Sequence, residues 1–537
     1  MKKIFFTCAF LACFGGWANA QDIYKVEMLS GSDLDGDARY VGMGGAMSAL
    51  GANLSAMSTN PASTGLYRRS DISLTAGLTS QPDGMHIYSN GRELGPGKTR
   101  GVFNQAGMLY SLNTGNAHGL KFINFGFNYK RARNFKQFIS LNNMPTDGGL
   151  SQTWQMRDLA ADLEGNWLDL GYENDRDYTT PLAVLGYDTY LIDAKVDDNN
   201  KISDYYKSDA TAYNYHRAQW GGLHQYDINM SFNINERIYL GFALGIYDVD
   251  IHNLLLYNEK LIDNTGATGN YDMYQEEALT GVGYDGKFGI ILRPAEENPF
   301  RLGFAITTPT AYDLDSRSYL AVASPYTDEK NPNGTSADVD LTNSYRIRTP
   351  WKLNVSAATT FGSIVAVDAE YEWQNYASAA VRYKDGYVDD YWSNNRFSTD
   401  VGIQKEIDTW MKNVHTFRIG AEVRASRELA LRFGYNYVSS PFDKKAYLNL
   451  FADGPSYYYA TNTDYVNLGA IHRATLGLGY THKFFYMDAT YQHQLQDATV
   501  NAFHYDNDDR LGIANALPGQ DIELHRNNFQ VTLGVRF

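Results

Sequence analysis

Asn527-Asn528-Phe529-Gln530-Val531-Thr532-Leu533-Gly534-Val535-Arg536-Phe537 closes the chain. Along an extended strand, side chains alternate between two faces. Phe529, Val531, Leu533, Val535 and Phe537 fall on one face, and Gln530, Thr532, Gly534 and Arg536 on the other. The same pattern recurs upstream. Leu429, Leu431, Phe433, Tyr435 and Tyr437 oppose Ala430, Arg432, Gly434 and Asn436, and Phe417, Ile419, Ala421 and Val423 oppose Arg418, Gly420, Glu422 and Arg424. Val365, Val367, Ala369, Tyr371 and Trp373 oppose Asp368, Glu370 and Glu372. Soluble sandwiches also alternate, with the apolar face inward. Here aromatics gather near strand ends and charges stand in mid-strand on the polar face. That arrangement suits an apolar face in lipid and a wet lumen.

Fourteen such runs can be counted, at about 71–80, 102–113, 120–131, 222–234, 237–257, 272–293, 300–312, 339–360, 363–376, 412–425, 428–440, 470–482, 485–496 and 526–537. The second alternates least. Short links follow the even runs, for example Asn235–Glu236, Phe361–Gly362 and Lys483–Phe484, and longer links follow the odd ones. Short periplasmic turns and long external loops are the rule for outer-membrane barrels. The expectation is an all-β fold, a 14-stranded antiparallel transmembrane β-barrel with both ends of the barrel on the periplasmic side.

Composition agrees. Met1-Lys2-Lys3, the apolar run Ile4–Phe14 and Ala18-Asn19-Ala20 read as a secretory signal peptide over residues 1–20. Both cysteines, Cys8 and Cys13, lie within it, so disulfides, thiolate metal sites and cysteine nucleophiles are excluded from the mature chain. Without Lys2 and Lys3, 44 basic residues face 61 acidic ones, a net charge near −17. Nucleic acid is an improbable partner for such a surface. The 41 tyrosines and 48 glycines, without an apolar run long enough for a membrane helix, fit a barrel, in which half of each strand faces lipid.

Residues 21–70 precede the first run and do not alternate. A 14-stranded lumen is too wide for side chains alone to fill, so this stretch is expected to form an N-terminal hatch inside it, ahead of a barrel over 71–537. Gly36-Asp37-Ala38-Arg39-Tyr40-Val41-Gly42-Met43-Gly44-Gly45-Ala46, followed by Asn60-Pro61-Ala62, resembles the hatch of the outer-membrane long-chain fatty acid transporters, the FadL/TodX family. Arg348-Thr349-Pro350-Trp351 leading into Val367–Trp373, and Phe417–Glu422 continuing to Leu431–Tyr435, extend the resemblance over nearly the whole mature chain. The pattern is that of the divergent Bacteroidetes-type members. The resemblance implies transport of small hydrophobic molecules, with long-chain fatty acids as the default, by passive capture, hatch movement and lateral release.

The resemblance also directs attention to particular residues. Gly42, Gly44, Gly45, Asn60, Pro61 and Ala62 are the hatch candidates, suited to a hinge-capable backbone or to a turn that fixes the plug. In the family, a kink in strand three opens the wall. Gly126 stands between Asn124 and Asn128 on the polar face of that strand and is the candidate for the opening, or an ordinary lumenal glycine. A carboxylate headgroup would seek a lumenal cation. Arg301, Lys352, Arg418 and Arg432 have the right parity, unless they pair with acids such as Asp368, Glu370, Glu422 and Asp488. The longest excursion, about 132–221, carries Trp154, Leu159, Leu163, Trp167 and Leu170 at helical spacing. These could form a hydrophobic capture surface or an amphipathic helix packed over the mouth.

Other chemistry finds no support in the motifs. Ser32–Asp37 lacks the glycine position and the closing glutamate of a calcium loop. Gly42-Met43-Gly44 has no βαβ context, and no G-x-S-x-G occurs. His504, Asp506, Asp508 and Asp509 read as a solvated loop. No catalytic residue, metal or cofactor is expected. The expected partners are a hydrophobic small molecule or fatty acid, outer-membrane lipid and lipopolysaccharide, and the barrel-assembly machinery that reads a terminal aromatic such as Phe537, with the chain acting as a monomer. The alternative in a different class is a non-transporting barrel serving as surface adhesin or structural protein.

Overall fold

In the computed structural model the C-terminal strand pairs with the first one, Asp71 facing Arg536 and Ser80 facing Asn527, and the sheet closes on itself. The structure describes residues 23–537 except 82–86, 90–91, 95–98, 162–179, 199–201, 263–265, 267, 296, 328–330, 332, 385–396, 451–459 and 506–516. The signal segment, Leu163, Trp167 and Asp506–Asp509 lie outside the described residues.

Fourteen antiparallel strands form the wall. They are β1 (Asp71–Ser80), β2 (Arg100–Asn113), β3 (Leu120–Asn134, continued by Gln137–Pro145), β4 (Asp209–Ile234), β5 (Ile238–Ile262) and β6 (Thr268–Leu292). After them come β7 (Arg301–Thr307 and Ala311–Ser324), β8 (Thr335–Arg348 and Lys352–Phe361), β9 (Val365–Asn375 and Ala380–Lys384) and β10 (Phe397–Thr399 and Asn413–Arg424). The last four are β11 (Leu429–Val438), β12 (Tyr465–His482), β13 (Phe485–Asn501) and β14 (Gln520–Arg536). The short turns carry the backbone signature of tight hairpins. Asn235 and Glu236 take φ of 55° and 56°, as a two-residue primed turn requires.

The burial pattern is inverted relative to a soluble sandwich. Leu74, Phe103, Phe304, Phe417, Phe433, Leu476 and Leu533 are exposed, whereas Asn124, Asn128, Asp227, Asn229, Thr490 and Gln530 are buried. An exposed apolar belt around a closed barrel places the wall in lipid, and single-chain antiparallel barrels of this kind are outer-membrane proteins. No helix among the described residues is long and apolar enough to cross a membrane.

A membrane crossing needs only about 9–11 tilted residues per strand. The 26 residues of β4 and the 25 each of β5 and β6 therefore rise well past the lipid. β4 begins at Asp209 rather than near 222, which shortens the long excursion from that side. The helices are α1 (Ile23–Ser30), α2 (Ala38–Gly42), α3 (Gln152–Ala161), α4 (Pro181–Asp188) and α5 (Val401–Trp410), and the excursion holds α3 and α4. α3 and α4 pack with Tyr213, Tyr257, Tyr271, Leu448, Val500 and Phe503 in an apolar core across the external mouth. Two neighbouring strands break at one level, β7 at Thr308-Pro309-Thr310 and β8 at Thr349-Pro350-Trp351. Proline supplies no ladder donor, and the two threonines bridge the gap: Thr349 N donates to Thr310 O (3.0 Å) and Thr310 N to Thr349 Oγ1 (2.8 Å).

Candidate functional site: a bolted hatch, a filled chamber and a window in the wall

The lumenal floor is built from residues 38–67. Asp37 caps α2 by accepting from Tyr40 N (2.9 Å), and Asn60 caps the short 3₁₀ helix Pro61–Leu66 by accepting from Ala62 N (3.0 Å). Cap residues such as these satisfy amides that the first turn leaves unpaired. Wall carboxylates take further hatch amides. Glu370 accepts from Met47 N (2.7 Å) and Ser48 N (2.6 Å), and Asp368 from Ala49 N (3.1 Å) and Leu50 N (2.8 Å). Arg39 of α2 reaches Glu422 at 2.8 Å. On the opposite wall, Asn229 Nδ2 donates to Pro61 O (3.1 Å) and Asn124 Nδ2 to Thr64 O (2.8 Å).

Glycine meets glycine where the hatch touches the sheet. Gly44 and Gly45 have φ of 64° and 82°. A Cβ on Gly44 would lie 2.7 Å from Tyr435 N, and one on wall residue Gly420 would strike the backbone of Met43. Gly241 and Gly289 receive Pro61 and Ala62 in the same manner. Thus Gly42, Gly44, Gly45, Asn60, Pro61 and Ala62 all stand at hatch–wall contacts, and Asn60-Pro61-Ala62 is a capped turn wedged against the wall.

The headgroup candidates divide. Arg418 pairs with Glu372 (3.1 Å) and Glu370 (3.4 Å), and Arg432 with Asp488 (2.6 Å) and Glu422 (2.7 Å). Arg301 donates to the hatch carbonyl Leu50 O (2.8 Å). Lys352 donates to Ser30 O at the end of α1 (3.2 Å). Lys130, absent from the candidates above, shares the lumenal parity of Asn124 and Asn128. It is buried and donates to Ser58 Oγ (2.6 Å). Among the described residues neither Lys130 nor Lys352 has a carboxylate within 4 Å. The two lysines line one cavity of about 70 Å³ together with Leu29, Leu34, Tyr247 and Tyr312.

Above that floor stands α1. Its Ile23, Val26 and Leu29 are buried in a lumenal apolar cluster with Leu223, Val249, Ile251, Leu314, Ile347 and Ile407. A second cavity, of about 100 Å³, lies along the other side, lined by Tyr24, Met28, Phe135, Ile251 and Phe442. Tyr24 and Leu468 pack against both this cluster and the core over the mouth. The apolar face of α1 therefore links the core over the mouth to the floor of the lumen, while the cavities beside it are also lined by charged side chains, Lys25, Glu27 and Glu277 in the larger and Lys287, Glu372 and Arg418 in the smaller.

The wall beside α1 is incomplete. β2 and β3 pair from Asn113↔Phe122 up to Gln105↔Lys130. Beyond that point Arg100–Phe103 pair only with β1, and Arg131–Asn134 only with β4. Higher still, the free edge of β3 meets the side chain of Gln81, which bonds both N and O of Phe138 at 3.3 Å. Gly126 lies below this region in an unbroken ladder, opposite Leu109 and Asn229. The register of β3 against β4 shifts at Leu120/Phe122 and at Arg131/Arg133, not at Gly126.

The chain between α1 and α2 fills the window from inside. Asp33 N donates to Ala132 O (2.8 Å), and the Asp33 carboxylate accepts from Asn134 N (2.9 Å), Arg473 (3.2 Å) and Arg526 (3.3 Å). Asp35 takes Asn104 Nδ2 (2.8 Å) and Arg131 (3.2 Å), and Glu27 takes Arg133 (2.7 Å). Burial works to raise the Asp33 carboxyl, but the guanidiniums of Arg526, Arg473 and Arg133 outweigh it and hold the group below its ordinary value. Burial prevails at Asp35, where one close arginine, Arg131, opposes it, and that group is raised.

Of the loop candidates, Leu159 is fully buried in the core over the mouth. Trp154 sits at its rim, donating from Nε1 to Asp209 (3.0 Å), with Lys207 Nζ 2.9 Å above its ring. Among the described residues no group of three or more His, Cys, Asp or Glu side chains could hold a metal ion.

No family model matches the chain, and no curated protein does. Solved structures do. A FadL homologue from Pseudomonas aeruginosa aligns at 14% identity and a TM-score of 0.51, over 95% of this chain and 100% of that one. The toluene transporter TodX of Pseudomonas putida aligns at 13% identity and 0.46, over 94% and 99%. The toluene transporter TbuX of Ralstonia pickettii aligns at 13% identity and 0.47, over 94% and 99%. The first of these carries the comparison, and it is a likeness of fold: the resemblance read from the hatch and strand motifs extends to the whole architecture.

Proposed function

We propose that this barrel carries small hydrophobic molecules, with long-chain fatty acids as the default cargo, through the outer membrane by displacement of α1 and release through the wall between β2 and β3. The observation that supports the reading is the apolar face of α1, packed beneath the mouth core and beside an unpaired stretch of wall. The name of the solved relative that carries the comparison, a FadL homologue, points the same way. No enzymatic activity is part of the reading.

Size sets the mechanism. Cavities of about 70 and 100 Å³ are small beside the ~300–1,000 Å³ of ordinary ligand pockets. A long acyl chain fits only when α1 leaves, which merges the two spaces. Each buried CH₂ contributes about 0.8 kcal/mol, so the apolar face of α1 stands in for cargo and competes with it. Displacing α1 also draws Asp33 and Asp35 away from Arg131–Asn134, and the window opens in the same movement. The hatch floor below, held by Glu370, Asp368 and Arg39–Glu422, stays in place and turns the cargo sideways. Lys130 and Lys352, at the foot of the chamber, are placed to receive a carboxylate; Arg418 and Arg432 are committed to wall acids. Lateral release thus rests on Arg131–Asn134, with Gly126 as part of the intact wall beneath.

The test is uptake of labelled oleate and labelled toluene by a deletion strain, with the gene absent, restored, or restored with residues 23–30 tethered to the wall. Uptake that depends on the gene and fails when α1 is tethered supports the reading. Uptake indifferent to the gene sinks it. It would leave the second reading, a surface structural or adhesin barrel, which the packed core over the mouth favours.

A further inference from the structure

Three hairpins present the same polar device on the lipid-facing side, and a fourth presents a variant of it. At the upper edge of the apolar belt a tyrosine of the odd strand reaches diagonally to the next, even strand. Tyr129 of β3 meets His224 Nδ1 of β4 (2.9 Å), Tyr371 of β9 meets His415 Nδ1 of β10 (2.8 Å), and Tyr435 of β11 meets His472 Nδ1 of β12 (2.7 Å). In the fourth, Tyr491 of β13 donates to Asn527 Oδ1 of β14 (2.7 Å), and His493 Nδ1 meets the same oxygen (2.8 Å). The ladder gives the height. Each histidine of the first three lies two residues nearer the external end than the cross-strand neighbour of its tyrosine, Tyr226, Phe417 and Ala474 respectively.

A tyrosine hydroxyl at a membrane interface finds water or headgroups unaided. Pairing it with imidazole does something further: it fixes the ring. When Nδ1 accepts the phenol proton, the neutral imidazole carries its own proton on Nε2, and a protonated ring carries one there as well. Among the described residues none of His224, His415, His472 and His493 has a carboxylate within 4 Å; Asp248 stands opposite His224 in the ladder but beyond that distance. A row of three oriented N–H donors, on His224, His415 and His472, sits where the headgroups of the outer leaflet begin; His493 is not one of them, because its Nδ1 donates to the Asn527 oxygen and leaves Nε2 of the neutral ring an acceptor.

We propose that this row binds the phosphate groups of a phosphorylated glycolipid of the outer leaflet, each fixed histidine donating from Nε2 to a phosphate oxygen. The match is one of chemistry and height: phosphate is anionic, rich in acceptors, and held at the top of the acyl layer. The lipid ring would sit beside the β2–β3 window, since Tyr129 and His224 flank it.

The experiment uses the full barrel, delipidated in detergent and reloaded with diphosphoryl lipid A, with the same lipid A after chemical removal of its phosphates, or with phosphatidylethanolamine. Native mass spectrometry counts the lipids retained. The wild-type barrel is expected to retain diphosphoryl lipid A at least fivefold over the dephosphorylated form. H224F/H415F/H472F, which keeps an aromatic at every position, is expected to lose that preference. Equal retention of the two lipid A forms by the wild type would overturn the proposal without any variant, as would a preference for phosphatidylethanolamine or one that survives in the triple variant.

Discussion

Asp33→Asn tests the linkage between chamber and window most directly. The side chain keeps its shape and one acceptor for Asn134 N, but loses the charge that faces Arg473 (3.2 Å) and Arg526 (3.3 Å). Removing one partner of a buried ion pair costs about 3–5 kcal/mol, because the other charge is left behind. The lower end applies here, since both arginines keep other bonds: Arg473 to Gln494 and Asn436, Arg526 to Lys136 O. The cost falls on the docked segment alone, as the wall ladder does not pass through Asp33. About 3 kcal/mol corresponds to roughly a 150-fold rise in the undocked population. Amide hydrogen exchange reads that population segment by segment. Protection over residues 23–35 should fall by about two orders of magnitude, while Thr532, Thr490 and the rest of the wall keep theirs. Unchanged protection of 23–35, or a loss shared equally by wall and segment, would refute the idea that this carboxylate latches α1 to the window.

Four further outcomes are expected. Lys130→Met with Lys352→Met should weaken oleate binding about tenfold or more, a charged hydrogen bond being worth about 1.5–3 kcal/mol, and leave binding of methyl oleate as it was; tryptophan-free fluorescence displacement or calorimetry reads both. Gly434→Leu should force the hatch off the wall at Gly44, giving a barrel that still shows heat-modifiable migration but conducts ions in planar bilayers, whereas Gly126→Leu should leave lateral release intact unless it displaces Met57 of the hatch. Val26→Asp should loosen α1 by burying an unpaired charge, seen as faster proteolysis ahead of Asp33. For acidity, Asp33 is held below its ordinary 3.8, so its contribution to docking is fully present above that value and lost as pH falls through the depressed one; exchange protection of 23–35 should be flat in Asp33 from pH 5 to 8.

The sequence revealed the parts of this molecule that lipid constrains. Phe417–Val423 and Phe529–Val535 alternate because one face meets hydrocarbon and the other the hatch, and their limits were read to within a few residues. Asp209–Gly221 was read as loop because that part of β4 stands above the lipid: Tyr213 and Tyr215 are buried in the loop core, and nothing selects apolar side chains on the outer face. The hatch was legible as a stretch that does not alternate, but the matching of Gly44 to Gly434 exists only across more than three hundred residues of chain. α1 carried no signal of a lumenal address. Lys130 lies within the run 120–131 on the face of Asn124 and Asn128, so its lumenal address was legible; the window was not, because the loss of a neighbour on one side leaves no trace in the alternation of a single strand.

The two termini of the barrel meet beneath the hatch. Ser70 N donates to Phe537 O and Phe537 N to Ser70 O, each at 3.0 Å, and Ala38 of the hatch already bonds Thr532 on the closing strand (2.7 Å). The seam that closes the barrel is thus braced from within: whatever loosens Ala38 also takes a bond from the strand that completes the ring.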